Sequence, residues 1–295
     1  MSLIVRLALL FSCAVFPVGA SINVVDDMGR TVSLSAPAQR IISLSPHLTE
    51  LLFAAGAGDR VIAVSAYSDY PRQALTLPKV GGGRGLNIER IVSYRPDLVV
   101  AWKSGNPNAR VQQLIDLGIP VFYSEPASID AIATTLERLG RLAASTQVAN
   151  AASRRFRKQV ERLRQRYQQR SALRVFYQIW DQPLMTVNGR HVISEWLEVC
   201  GASNIFSELS MLAPAVSLES VVVADPDVII AGRYTATPDG LHGIWSKWSQ
   251  MVAVLSGNLL TLDTSVLNRQ VPRVIDSVDT LCQRLDEARQ ALQEH

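Results

Sequence analysis

Few residues of this chain have both the type and the spacing to do chemistry, and the clearest of them come as a pair. Glu89 stands in Asn87-Ile88-Glu89-Arg90-Ile91, followed by Arg95-Pro96-Asp97-Leu98-Val99-Val100-Ala101. Glu219 stands in Ser217-Leu218-Glu219-Ser220-Val221, followed by Asp225-Pro226-Asp227-Val228-Ile229-Ile230-Ala231. Each copy reads as a helix N-cap, an acidic residue in the positive first turn, a short helix, a Pro-Asp turn and a buried apolar strand. A carboxylate held there suits a charge-assisted contact with a cationic partner; it also simply favours the helix dipole, by about 0.3–1 kcal/mol. Catalytic constellations are missing. The four histidines, His47, His191, His242 and His295, form no His-Glu-x-x-His or Cys-His arrangement, and no Gly-x-Ser-x-Gly elbow occurs. Gly81-Gly82-Gly83-Arg84-Gly85 lacks the spacing of a dinucleotide fingerprint and the Lys-Ser/Thr end of a phosphate loop. The chain reads as a binder and not an enzyme, with no metal site and no catalytic cofactor.

The duplicated pattern implies two related lobes with a cleft between them, where ligands tend to sit. A weaker echo agrees: Arg40-Ile41-Ile42 and Arg174-Val175-Phe176 each open a strand, and each is followed by a helix ending in Gly-Ala, at Gly56-Ala57 and Gly201-Ala202. A chain of 295 residues, 48% hydrophobic and 19% charged, is long and apolar enough to bury two cores. Its net charge of +3 is too small to argue for nucleic acid. Strands near 41–44, 61–64, 98–101 and 121–123 alternate with helical segments, which predicts α/β lobes with mostly parallel sheets. Between the lobes, 146–169 contains neither Gly nor Pro, and Phe156, Val160, Leu163 and Tyr167 make one apolar stripe. A helix of that length spans roughly 35 Å. Its arginines and Lys158 read as a solvated face.

At the N-terminus, Arg6, the apolar run Leu7 to Phe16 and then Val18-Gly19-Ala20 have the form of a signal peptide cleaved after Ala20. The expected division is 1–20 signal peptide, 21–145 N-terminal lobe, 146–170 connecting helix and 171–295 C-terminal lobe. Lipid attachment at Cys13 is the alternative to cleavage. Cleavage leaves Cys200 and Cys282, which in an oxidising compartment read as a disulfide; two separately buried thiols remain the other reading.

Further residues carry a family resemblance. Arg40-Ile41-Ile42-Ser43-Leu44-Ser45-Pro46 through Thr49-Glu50, Ser65-Ala66-Tyr67-Ser68-Asp69-Tyr70-Pro71, the Asn87 and Arg95 segments through Trp102, Leu197-Glu198-Val199-Cys200-Gly201 and Asn204-Ile205-Phe206 resemble the periplasmic cobalamin-binding proteins of bacterial ABC importers. The similarity covers essentially all of the mature chain. It implies a class III periplasmic binding protein, two Rossmann-like lobes joined by a single long backbone helix, monomeric when free and located in the periplasm. A corrinoid such as cobalamin would be its transported ligand, not a cofactor. The wider superfamily also carries haem and iron-siderophores, and an enzyme acting on a tetrapyrrole is the reading from another class. The resemblance places Tyr67 and Trp102 at two positions of an aromatic box around the corrin. At further aromatic positions this chain has Gly83, Met185 and Ala213, so the box is thinner unless Trp180, Trp245 or Trp248 compensates. Ser265 and Arg269 align with an Asp and an Arg of the last ligand loop, with salt bridging as the other reading of Arg269. Glu89 and Glu219 would meet arginines on the two copies of the ABC permease. His47, at a helix start near the cleft, is expected to be solvated, with ligation of a cobalt or iron centre the alternative.

Overall fold

The computed structural model describes residues 21–82, 85–232 and 240–294, so the expected signal peptide with Cys13, and Gly83, lie outside the described residues. The N-terminal lobe opens with an antiparallel hairpin, β1 (Ile22–Val25) and β2 (Thr31–Leu34). It continues through β3 (Ile41–Ser43), α1 (Pro46–Ala54), β4 (Val61–Val64) and the two-residue strands β5 (Gly81–Gly82) and β6 (Gly85–Leu86). Next come α2 (Ile88–Ser93), β7 (Leu98–Trp102), α3 (Asn108–Asp116), β8 (Val121–Ser124) and α4 (Ile129–Leu142). After α5 (Thr146–Tyr167), the C-terminal lobe begins with β9 (Leu173–Gln178) and a short hairpin, β10 (Trp180–Asp181) and β11 (Leu184–Met185). Then follow α6 (Val192–Val199), β12 (Ala202–Asn204), α7 (Leu218–Ala224), β13 (Val228–Gly232) and α8 (Gly240–Trp245). The chain ends with α9 (Val252–Leu255), β14 (Leu259–Leu262), α10 (Thr264–Leu267) and α11 (Val274–Gln293).

Each lobe has one four-stranded parallel sheet, ordered β4-β3-β7-β8 and β12-β9-β13-β14. Parallel neighbours need crossovers, usually helical, and helices on both faces bury the strands, which is why β7 and β13 read as unbroken apolar runs. The predicted α/β architecture with two parallel-sheet lobes is the observed one.

The duplication has a shared hydrogen-bonding logic. In the first lobe Asp97 accepts the backbone N–H groups of Gln39 at 2.8 Å and Arg40 at 3.0 Å, while Arg40 Nη2 donates to the Tyr94 carbonyl at 2.6 Å, at the end of α2. In the second lobe Asp227 accepts the Arg174 N–H at 2.7 Å, and Arg174 donates to the Ala224 and Asp225 carbonyls at 2.5 and 3.1 Å. The residue before each proline, Arg95 (φ 46°) and Asp225 (φ 42°), turns into the left-handed region, because proline disfavours continuing the right-handed helix and that geometry ends it. One Arg and one Asp per lobe thus fasten a short helix to the first strand.

α5 buries Ala149, Ser153, Phe156, Val160, Leu163 and Tyr167 along one stripe. Phe156 meets Trp196 of α6 edge-on at 6.4 Å, and α4 lies along the helix with Gly140 so close to Ala149 that a side chain at 140 would collide with it. Apolar residues of both lobes and of α5 form one continuous cluster. On the outer face Arg154, Arg155, Lys158, Arg162, Arg164 and Arg166 are exposed, whereas Arg157 is held by Asp130 at 2.6 Å and Glu137 at 2.5 Å. Cys200 and Cys282 form the expected disulfide, joining the end of α6 to α11 with Cα atoms 4.8 Å apart. Closing a loop of 82 positions contributes about 4 kcal/mol on a chain-entropy argument.

Candidate functional site

In open parallel sheets, ligands bind beyond the carboxyl ends of the strands. Here the carboxyl ends of the two sheets face each other, because the loop after β14 reaches across to the loop after β4 and to α1. Arg269 Nη1 donates to Glu50 Oε1 at 2.7 Å and to Asp69 Oδ1 at 3.1 Å. Arg273 donates to both Glu50 oxygens, at 2.5 and 2.9 Å, and its guanidinium lies 4.3 Å above the centre of the Tyr70 ring. Glu50 is 3% exposed. Burial disfavours the Asp69 charge, but the hydrogen bond and field of Arg269 outweigh it and hold that carboxyl below its ordinary range. The lobes are therefore tied across the cleft by one carboxylate between two arginines.

On the N-terminal side the site rests on a chain of buried hydroxyls. Thr49 Oγ1 bridges Ser43 Oγ at 2.9 Å and Ser68 Oγ at 3.1 Å, and Ser68 Oγ lies 3.1 Å from Ser65 Oγ. Ser65 and Ser68 bracket a turn whose third residue is Tyr67, at φ 64° and 83% exposed. A left-handed bulky residue costs on the order of 1–3 kcal/mol and is commonest where function demands it. Here the strain projects a phenol ring out of the fold. Trp102 ends β7; its backbone N–H donates to Asn106 Oδ1 at 2.6 Å, and its indole N–H to Glu125 Oε1 at 3.2 Å. Asn106 ties this loop to the Leu44 carbonyl at 3.0 Å. Gly105 lies under the indole, where any side chain would meet the ring. Tyr67 and Trp102 both line a recess of about 100 Å³, with Ser45, Pro46 and Ala66 among its walls. Such a volume takes the edge of a ligand, not a whole macrocycle, since ligand pockets usually run to about 300–1,000 Å³.

His47 corrects the sequence expectation of a solvated side chain. It is 6% exposed, meets Trp102 edge-on at 5.1 Å and pairs through Nδ1 with Ser45 Oγ at 2.6 Å, leaving Nε2 buried with no partner among the described residues. α1 is buried from His47 to Leu52, so its first turn is sunk into the lobe. Burial, with nearby Arg269 second, pushes the imidazole down to about 3 from 6.5. The unfolded chain takes up this proton below pH 6.5 and the folded one refuses it, so this contribution is full above 6.5 and is lost as pH falls toward 3. Lowering the pH from 6.5 to 5 should cost about 2 kcal/mol through His47 alone. In urea unfolding at those two pH values, His47→Asn should lose less stability than the parent by about that amount.

On the C-terminal side, Met185 is half-buried in β11 and Ala213 half-buried in the loop that precedes α7. Ser265 is exposed in the first turn of α10, with its N–H on Asp263 Oδ1 at 2.9 Å. The three tryptophans offered as compensation separate cleanly. Trp245 is fully buried, donating to Gln178 Oε1 at 2.9 Å and meeting Phe176 edge-on, and Trp248 packs partly buried against the same cluster. Trp180 is 49% exposed. Glu89 and Glu219 are both exposed in the first turns of α2 and α7, and neither carboxylate has an ion-pair or hydrogen-bond partner among the described residues. The sequence does not single out Glu50 and Arg273; the one signal for Glu50 is an acidic residue set among Leu48, Leu51, Leu52 and Phe53.

Among the described residues there is no cluster of three metal-ligating side chains, and no helix is long and apolar enough to cross a membrane. A profile of the periplasmic binding protein family matches residues 41–266. The chain is 38% identical over 257 residues to a vitamin B12-binding protein of Vibrio campbellii, covering 87% of this chain and 92% of that one. It is 40% identical over 255 residues to a vitamin B12-binding protein of Yersinia pestis, covering 85% and 89%. Among solved structures, the periplasmic vitamin B12 binding protein of Vibrio cholerae superposes with a TM-score of 0.76 at 38% identity, over 86% of this chain and 98% of that one.

Proposed function

The chain belongs to the periplasmic binding protein family, and from that premise we propose that it captures a corrinoid in the inter-lobe cleft and delivers it to an ABC importer. It is a binding protein and not an enzyme. One observation carries the choice of ligand: over most of its length the chain is like proteins named for vitamin B12. The cleft is compatible with a large flat ligand, since Tyr67 and Trp102 offer ring surface with little conformational freedom to lose. Ser265 and Arg269 stand at its rim; both ion pairs of Arg269 use Nη1, so its other guanidinium nitrogens have no protein partner among the described residues. Export through the N-terminal apolar segment, and docking of Glu89 and Glu219 on a two-fold permease, complete the reading.

The test is calorimetric titration of residues 21–295 with cobalamin, haem and a ferric siderophore. Saturable one-to-one binding is expected for cobalamin, and tighter than for the other two. Haem or siderophore binding more tightly than cobalamin would reassign the ligand within the same fold.

A further inference from the structure

We infer that Trp180 is a ligand-contacting residue and forms, with Met185, the C-terminal wall of the cleft. The inference rests on the corrinoid reading above. Trp180 and Met185 are directly opposed in the antiparallel β10/β11 ladder, and directly opposed residues of such a pair project to the same face. On its other side Met185 bridges Ala215, and Thr186 N–H donates to the Pro214 carbonyl at 3.0 Å, which sets the 213–215 segment beside the hairpin. An indole and a thioether therefore share one surface where Ala213 offers only a methyl group. Methionine packs well on irregular flat surfaces, and tryptophan supplies the largest ring.

The hairpin is also in the right place. β10 follows the carboxyl end of β9, which holds in its sheet the place β3 holds in the other, next to the central pairing with β13 as β3 is with β7. The loop after β3 carries Ser45 and Pro46 of the N-terminal recess. The Arg269 and Arg273 ion pairs to Glu50 of α1 join the carboxyl edges of the same two sheets further along, after β14. Trp180 is prepared for contact: its indole N–H donates to the Gln182 carbonyl at 3.0 Å within its own turn. The one polar atom of the side chain is satisfied and the ring is oriented, yet about half of it is open to water. Covering such a ring is where binding energy comes from.

The experiment uses Trp180→Ala, Trp180→Phe and, as a reference, Trp102→Ala, each titrated with cyanocobalamin. Trp180→Ala should bind about tenfold more weakly and Trp180→Phe within about threefold of the parent. Acrylamide quenching gives a readout independent of variant stability: the emission difference between the parent and Trp180→Phe isolates residue 180, and saturating cobalamin should protect it. Parental affinity in Trp180→Ala alongside weakened binding in Trp102→Ala would overturn the inference while leaving a corrinoid in the cleft. Unprotected Trp180 emission at saturation would overturn it equally. Failure of the parent protein to bind cobalamin would remove the corrinoid reading, and this inference with it.

Discussion

Cells that rely on the Glu89→Arg/Glu219→Arg double variant are expected to lose corrinoid import, while the purified variant binds cobalamin with parental affinity. Each carboxylate stands in the first turn of a short, capped helix: Asn87 Oδ1 accepts the Arg90 N–H at 2.9 Å, and Ser217 Oγ accepts the Ser220 N–H at 3.1 Å. Each helix runs back into its sheet through the Pro-Asp turn, so its N-terminus lies at the cleft-side rim of its lobe. Two charges with no partner among the described residues, at equivalent places on two like lobes, match a partner with two-fold symmetry, one charge-assisted contact at each end. Serving the helix dipole alone would make both glutamates a minor stability feature. Reversal would then lower the melting temperature slightly and leave import intact. Unimpaired import by the double variant would remove the docking role, and an altered cobalamin affinity would place the glutamates in the ligand site instead.

What was legible in the sequence was local or repeated. The paired N-caps and the Pro-Asp turns could be recognised because each acts on backbone only a few residues away, and Arg40 with Arg174 only because the same residue opens a strand in both lobes, since the carbonyls they hold lie 54 and 50 positions on. The stripe on α5 was legible because a helix converts spacing directly into a face. The tie across the cleft was not: Glu50 and Arg269 stand 219 positions apart, and nothing in the pattern around either names the other. Burial at the site was equally opaque. Trp180, Trp245 and Trp248 look alike as residues, and only the packing of Gln178 and Phe176 sends Trp245 into the core while leaving Trp180 outside. His47 looked solvated because helix starts usually are, but α1 enters its lobe with that turn buried. Tyr67 and Trp102 came from the resemblance; the left-handed backbone of Tyr67 adds a physical reason that sequence could not supply.

Trp102→Ala and Tyr67→Ala are each expected to weaken cobalamin binding by at least about tenfold, or roughly 1.4 kcal/mol. The argument is one of few walls. Ala213 offers no stacking face, and each aromatic contact is worth about 0.5–1.5 kcal/mol beyond its buried area, so the remaining rings must carry more of the binding. Trp102 is the more rigid of the two, held by Glu125, Asn106 and the edge of His47, and its truncation would also open space above Gly105. Tyr67 is mostly in water before binding, so its truncation removes ligand contact with little change to the free protein. That difference gives a second reading of the same titrations: Trp102→Ala should lower the melting temperature of the free protein and Tyr67→Ala should not. Ala213→Trp then probes the opposite wall. If the cleft has merely lost a wall there, the added ring should strengthen cobalamin binding; if Trp180 and Met185 already fill that side, the added ring should crowd the ligand and weaken it. Parental affinity in both alanine variants would mean that the ligand lies elsewhere than between these rings.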